Sequence, residues 1–123
     1  ASEQVLDSMP ACMEAAALAK MVDRGQIKGC VADGPLALDV GIDKESVEIE
    51  KLVSPVAGDA DWLELPNIES ANVFWKTNSK LATGVKQAGM LVGTTVPCVL
   101  ASRADSVDTK LNSIAEAVMF VNK

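Results

Sequence analysis

Three times in this chain a short apolar run stops at a polar loop and a helical pattern opens behind it, and no other feature narrows the possible folds as far. The loops are Asp33-Gly34-Pro35-Leu36-Ala37-Leu38-Asp39, Pro66-Asn67-Ile68-Glu69-Ser70-Ala71-Asn72 and Ser102-Arg103-Ala104-Asp105-Ser106. The runs before them, Gly29 to Ala32, Trp62 to Leu65 and Pro97 to Ala101, show no helical period and have the length of buried strands. Strand, loop and helix in alternation predict an α/β layer structure. Composition agrees, because 49 % of the residues are hydrophobic but only 3 % aromatic, so the core must be built from Ala, Val, Leu, Ile and Met packed as helices on a sheet. A chain of 123 residues has material for one hydrophobic core.

The helical stretches carry their own start and stop signals. Pro10 to Arg24 is Ala-rich, with Met13, Ala17 and Met21 at i, i+4 spacing, Pro10 suited to the first turn and Gly25 to the position past the end. Asn67 opens a helix over about 68–83, and Asp105 or Ser106 caps a last helix over 106–121 whose Val107, Leu111, Ile114, Ala115, Val118 and Met119 share one face. Met90-Leu91-Val92 reads as a further strand next to Pro97–Ala101, whereas Ile42 to Val53 fits either a helix or an irregular excursion. There is no internal repeat and no low-complexity linker.

Several function classes are disfavoured at once. The net charge of −6, with no Lys/Arg cluster along the sequence, repels a phosphate backbone, so nucleic acid is not an expected partner. No apolar run approaches the roughly 20 residues needed to cross a bilayer, and the start lacks a secretory pattern; a soluble, cytoplasmic protein is expected. Cys12, Cys30 and Cys98, odd in number and widely spaced, read as buried free thiols. With no His in the chain, the usual zinc sites and the Ser-His-Asp and Cys-His arrangements are absent, and no metal site is expected.

The three loops are where chemistry is expected. In open α/β sheets ligands collect beyond the carboxyl ends of the strands, where helix N-termini offer unpaired N–H groups to anions, so the loops of Gly34, Asn67 and Ser102 are predicted to lie along one sheet edge. Ser102-Arg103 pairs a hydroxyl with a planar guanidinium fork that matches phosphate oxygens, although Ser102 and Asp105 capping a helix beside a solvated Arg103 fits the same pattern. Gly34-Pro35 offers either close approach to a ligand or a plain turn. Asn72 and Lys76, one helical turn apart, share either a ligand face or a solvated one. Trp62 and Trp75 read as core or interface residues.

Four segments in fixed order resemble the phosphate acetyl/butyryl transferase family, most closely its butyryltransferase branch. They are Ala32-Asp33-Gly34-Pro35-Leu36-Ala37-Leu38-Asp39, Ser54-Pro55-Val56-Ala57-Gly58-Asp59-Ala60-Asp61, Pro66-Asn67-Ile68-Glu69-Ser70-Ala71-Asn72-Val73, and Ser102-Arg103-Ala104-Asp105-Ser106 with Lys110-Leu111 and Ser113-Ile114-Ala115. The resemblance runs from about Met9 to Val118. It implies a three-layer α/β/α fold with a mostly parallel sheet, similar to the isocitrate and isopropylmalate dehydrogenases, and a homodimer.

The implied reaction is acyl-CoA plus inorganic phosphate giving acyl phosphate plus CoA, with coenzyme A as a substrate and no cofactor. In the family an aspartate deprotonates the CoA thiol while Ser and Arg hold the phosphate. That carries over to Ser102 and Arg103 as phosphate groups and to Asp105 as base, with Asp108 the other nearby carboxylate, since the family's spacing falls on Thr109. Gly34, Pro35, Asn72, Lys76 and Ser106 become substrate-binding candidates. The chain departs from the family's pattern at Asn67, Ser70, Ala71 and Val40. It also lacks the family's N-terminal region, so residues 1–123 are expected to be the C-terminal part of a truncated domain, inactive alone. The competing implication is a non-catalytic or partner-dependent component of the same fold, such as the acetyl-phosphate-forming subunit of a glycine reductase-type complex.

Overall fold

The computed structural model describes residues 1–121 and is mostly helical, with the elements α1 (Pro10–Asp23), α2 (Leu38–Ile42), α3 (Lys44–Glu50), α4 (Ile68–Lys80), β1 (Met90–Leu91), β2 (Cys98–Val99) and α5 (Val107–Val121). It divides into two compact units, Ala1–Pro66 and Asn67–Lys123.

In the first unit Pro10 sits in the opening turn of α1, where its missing N–H is not needed, and Gly25 takes a positive φ of 71° just past the end. The inward side of α1 is not that of Met13 and Ala17, which are exposed, but that of buried Cys12 and half-buried Ala15 and Ala19. Small side chains there let backbone come close: a Cβ on Gly34 would stand 3.1 Å from the Ala15 Cβ. Ile42 to Val53 resolves as the end of α2 plus α3, whose Asp43 cap accepts the Ser46 N–H at 2.9 Å. The segment from Ser54 then folds back on α2. Its Gly58 N–H donates to the Val40 carbonyl at 2.9 Å and its Ala60 N–H to Gly41 at 3.2 Å, over a Val40 side chain only 1 % exposed.

In the second unit Asn67 caps α4 by accepting the Ser70 N–H at 2.8 Å, as its position before the helical pattern predicts. β1 and β2 pair with Met90 opposite Val99 and Leu91 opposite Cys98, and α5 packs against both strands. The most buried residues of α5 are small. Ser113, 1 % exposed, accepts the Gly89 N–H at 2.9 Å and donates to the Thr109 carbonyl at 2.7 Å, with Ala117 buried one turn on. The expected inward face is turned out, with Val107, Leu111, Ile114, Val118 and Met119 all exposed.

The sheet departs from the expected mostly parallel one. Among the described residues it is a two-stranded antiparallel hairpin, and neither Gly29–Ala32 nor Trp62–Leu65 forms a strand. Parallel neighbours need a crossover of about a dozen residues or more, and only Val92 to Pro97 separate β1 from β2. An apolar run becomes a strand only when a second backbone pairs with it. Leu63 lies instead as loop against α2, 3.6 Å from where a Gly41 Cβ would stand. Cys30 and Trp62 are exposed rather than buried, since neither segment is built into a sheet; all three cysteines are unpaired.

Candidate functional site

Of the sequence-predicted residues, the structure brings Ser102, Arg103, Asp105, Ser106 and Lys76 together at the loop between β2 and α5. The loop closes on itself: the Asp105 Oδ2 accepts the Ser102 N–H at 2.8 Å, while the Asp105 N–H donates to the Ser102 carbonyl at 3.1 Å. Ser106, not Asp105, caps α5, accepting the Thr109 N–H at 3.1 Å. These short-range bonds follow directly from Ser and Asp spaced for turn and cap.

What the sequence does not show is the charge gathered there. From α4 the Lys76 ammonium comes 3.7 Å from the Asp105 Oδ1, and Lys80, one turn later, donates to the Ala104 carbonyl at 3.4 Å. From α5 Lys110 donates to the Arg103 carbonyl at 3.5 Å. With Arg103 itself, four cations surround one loop in a protein of net charge −6. The absence of a Lys/Arg cluster along the chain concealed this, because the cluster joins residues 76, 80, 103 and 110 through tertiary contact. The i, i+4 spacing of Lys76 and Lys80 was the one available sign of it.

The groups differ in how free they are. The Asp105 side chain is only 6 % exposed, whereas that of Lys76 is 37 % exposed. The Arg103 side chain is exposed and, among the described residues, makes no ion pair or hydrogen bond of its own. The Ser102 hydroxyl accepts the Ala104 N–H at 3.4 Å, leaving its proton available. Asp108 is exposed in the first turn of α5, and Asn72 is exposed one turn before Lys76 on α4. Gly34 and Pro35 belong to the other compact unit, where the Gly34 N–H donates to the Asp33 Oδ1 at 2.8 Å. Among the described residues no group of His, Cys, Asp and Glu is arranged to hold a metal ion.

Comparison with known proteins decides the family. Residues 1–118 match the family described as phosphate acetyl/butaryl transferase. The chain belongs to this family. It is 51 % identical over 119 residues to a phosphate butyryltransferase of Clostridium acetobutylicum, covering 97 % of this chain and 39 % of that protein. It is also 51 % identical over 120 residues to a phosphate acetyltransferase of Thermotoga maritima, covering 98 % and 40 %. A crystal structure of a branched-chain phosphotransacylase from Enterococcus faecalis V583 superposes with a TM-score of 0.81 at 32 % identity, over 96 % of this chain and 42 % of that one. The chain therefore spans about two-fifths of the length of the curated phosphate acetyl/butyryl transferases it matches, and shares the fold of the phosphotransacylase over that part. No helix among the described residues is long and apolar enough to cross a membrane.

Proposed function

We propose that this chain is the C-terminal part of an acyltransferase that moves a short acyl group, acetyl or butyryl, between coenzyme A and inorganic phosphate. The observation that carries the reading is the β2–α5 loop, where an unpaired Arg103 and the Ser102 hydroxyl stand among Lys76, Lys80 and Lys110 at the head of a 15-residue helix. Helix N–H groups, ammonium groups and a guanidinium fork all favour an anion of phosphate's size and charge. In this reading Arg103 and Ser102 hold the phosphate. The CoA thiolate attacks the acyl carbonyl of the acyl phosphate, the C–S bond forms as the C–O bond to phosphate breaks, and phosphate leaves against the Arg103 guanidinium. A carboxylate takes the thiol proton; Asp105 and Asp108 are the two at this loop. In this reading Asn72 on α4 and Ser106 at the α5 cap are substrate contacts, as are Gly34 and Pro35, the last two on the strength of the family resemblance alone.

The complete protein is proposed to have the three-layer α/β/α form with a mostly parallel sheet, to work as a homodimer and to act in the cytoplasm. Three unpaired cysteines suit that reducing compartment. The test is steady-state thiol release on the full-length protein that contains this chain, with phosphate varied at saturating acyl-CoA. Arg103→Lys keeps the charge but loses the fork and is expected to weaken phosphate affinity; Arg103→Ala is expected to lose about 2 to 4 kcal/mol of transition-state stabilisation. Unchanged phosphate dependence in both variants makes Arg103 a surface charge and removes the site. The isolated chain is expected to turn over little or not at all, because positioning by the remaining three-fifths would be missing.

A further inference from the structure

The position of Asp105 is peculiar for a group that must accept a proton from substrate. Its carboxylate is nearly out of water, with one oxygen on the Ser102 N–H at 2.8 Å and the other 3.7 Å from the Lys76 ammonium. A carboxylate so placed needs a compensating cation, and removal of Lys76 leaves it uncompensated, whereas the more exposed Lys76 keeps its water when Asp105 is removed. Lys76 comes from the middle of α4, while Asp105 is in the loop that leads into α5. The pair therefore ties the loop to a separate rigid helix. Lys80 and Lys110 touch the same loop only through carbonyls on exposed ground, at 3.4 and 3.5 Å.

We propose that Lys76 and Asp105 form a positioning pair, in which the Lys76 ammonium, acting through the Asp105 carboxylate, holds the Ser102 backbone and so aims the Ser102 hydroxyl and the Arg103 guanidinium at the phosphate. The proposal rests on the acyl-transfer reading. It makes Asp105 a residue that acts through Ser102 rather than one that touches the thiol, and leaves the exposed Asp108, in the first turn of α5, as the nearby carboxylate able to take the thiol proton. A loop that loses its tie keeps its chemical groups but not their aim, so the loss should fall on phosphate and spare CoA.

The experiment compares Lys76→Met, Lys76→Arg, Asp105→Asn and the double variant Lys76→Met/Asp105→Asn in the full-length protein, with Arg103→Ala as reference. Lys76→Met and Asp105→Asn are each expected to lower kcat/KM for phosphate by roughly 10- to 100-fold, with KM for acyl-CoA within about twofold of the parent. The double variant should lose hardly more than either single, since both break one tie, and Lys76→Arg should recover most of the loss. The pH profile should keep both limbs. Amide hydrogen exchange of residues 98–108, read by mass spectrometry, should be faster in both single variants whatever happens to turnover.

If Asp105→Asn abolishes turnover and removes the acidic limb while Lys76→Met behaves as the parent, Asp105 is the base and the proposal is wrong. Additive losses would mean that Lys76 meets phosphate by itself, and would also overturn it. Unchanged phosphate kinetics with unchanged exchange would make the pair an ordinary surface contact. A parent protein without transfer activity sinks the functional reading instead; hydrogen exchange then still decides whether the pair holds the loop.

Discussion

Up to Pro66 the chain carries 13 of its 17 acidic residues and 5 of its 11 basic ones; from Asn67 onward it carries 4 acidic and 6 basic, so a net charge of −8 in the first compact unit stands against +2 in the second. The two units also hold their loops differently. In the first, the segment after Ser54 is secured to α2 by backbone lying on backbone, where Gly58 and Ala60 donate to Val40 and Gly41. In the second, side chains join segments far apart in the chain: Asp105 with Lys76 at the β2–α5 loop, Ser113 on Gly89, Gln87 on the Trp75 carbonyl at 3.2 Å. The difference teaches where an anion can be expected. A loop held by lysines gathers positive charge as a by-product of being held, and a loop held by its own backbone does not.

The two units differ most at the glycines that bring backbone close, and Gly58 is the sharpest case. Its φ is +74° and an added Cβ would lie 2.9 Å from the Lys44 Cγ and 3.1 Å from its Cα, whereas Gly84 in the other unit, at φ +77°, has nothing within 4 Å. Gly58→Ala should destabilise by about 2 to 3 kcal/mol and Gly84→Ala by about 1 kcal/mol, the excess being the overlap with α3. Urea unfolding followed by circular dichroism measures both, and equal losses would mean that close backbone approach is no special property of the first unit.

A smaller effect sharpens the second unit's side. Ser113→Ala leaves the Gly89 N–H without its acceptor in a part-buried site and should cost about 1 to 2 kcal/mol. Ser54 in the first unit accepts only local N–H groups, from Val56 and Ala57, both at 3.3 Å. Ser54→Ala should cost under about 1 kcal/mol. A larger loss at Ser54 than at Ser113 would reverse the contrast.

The helix caps give the finest test. Asn67→Ala should cost about 1 kcal/mol at any pH, because the amide of the α4 cap does not titrate. The α3 cap is a carboxylate. Hydrogen bonds from the Ser46 hydroxyl and then the Ser46 N–H hold the Asp43 pKa below the ordinary 3.8. A depressed folded-state pKa means that the cap's contribution is complete above the ordinary carboxylate value and is lost as pH falls through the folded one. Carbon-detected NMR should place the Asp43 midpoint below 3.8, with the Ser46 amide shift following the same curve. A midpoint at or above 3.8 would show that the α3 cap is not formed in solution.

What the sequence determined by itself is what short-range geometry decides. α1 starts at Pro10 as read, α4 at Ile68 behind its Asn67 cap, and α5 runs to Val121 behind Ser106, each within about three residues of the expected span. A helix closes its hydrogen bonds four residues along the chain, so caps, Pro and Gly suffice to mark it. The turn and cap between β2 and α5 were legible for the same reason, since Ser102 bonds to Asp105 and Ser106 to Thr109, each three residues away. Tertiary structure alone decided the rest: whether Gly29–Ala32 and Trp62–Leu65 found a strand to pair with, that α5 turns Ser113 and Ala117 inward rather than its larger stripe, and that Lys76, Lys80 and Lys110 meet at one loop. Strand pairing, helix facing and charge clustering each require a partner from elsewhere in the chain, and residue order does not record which partner arrives.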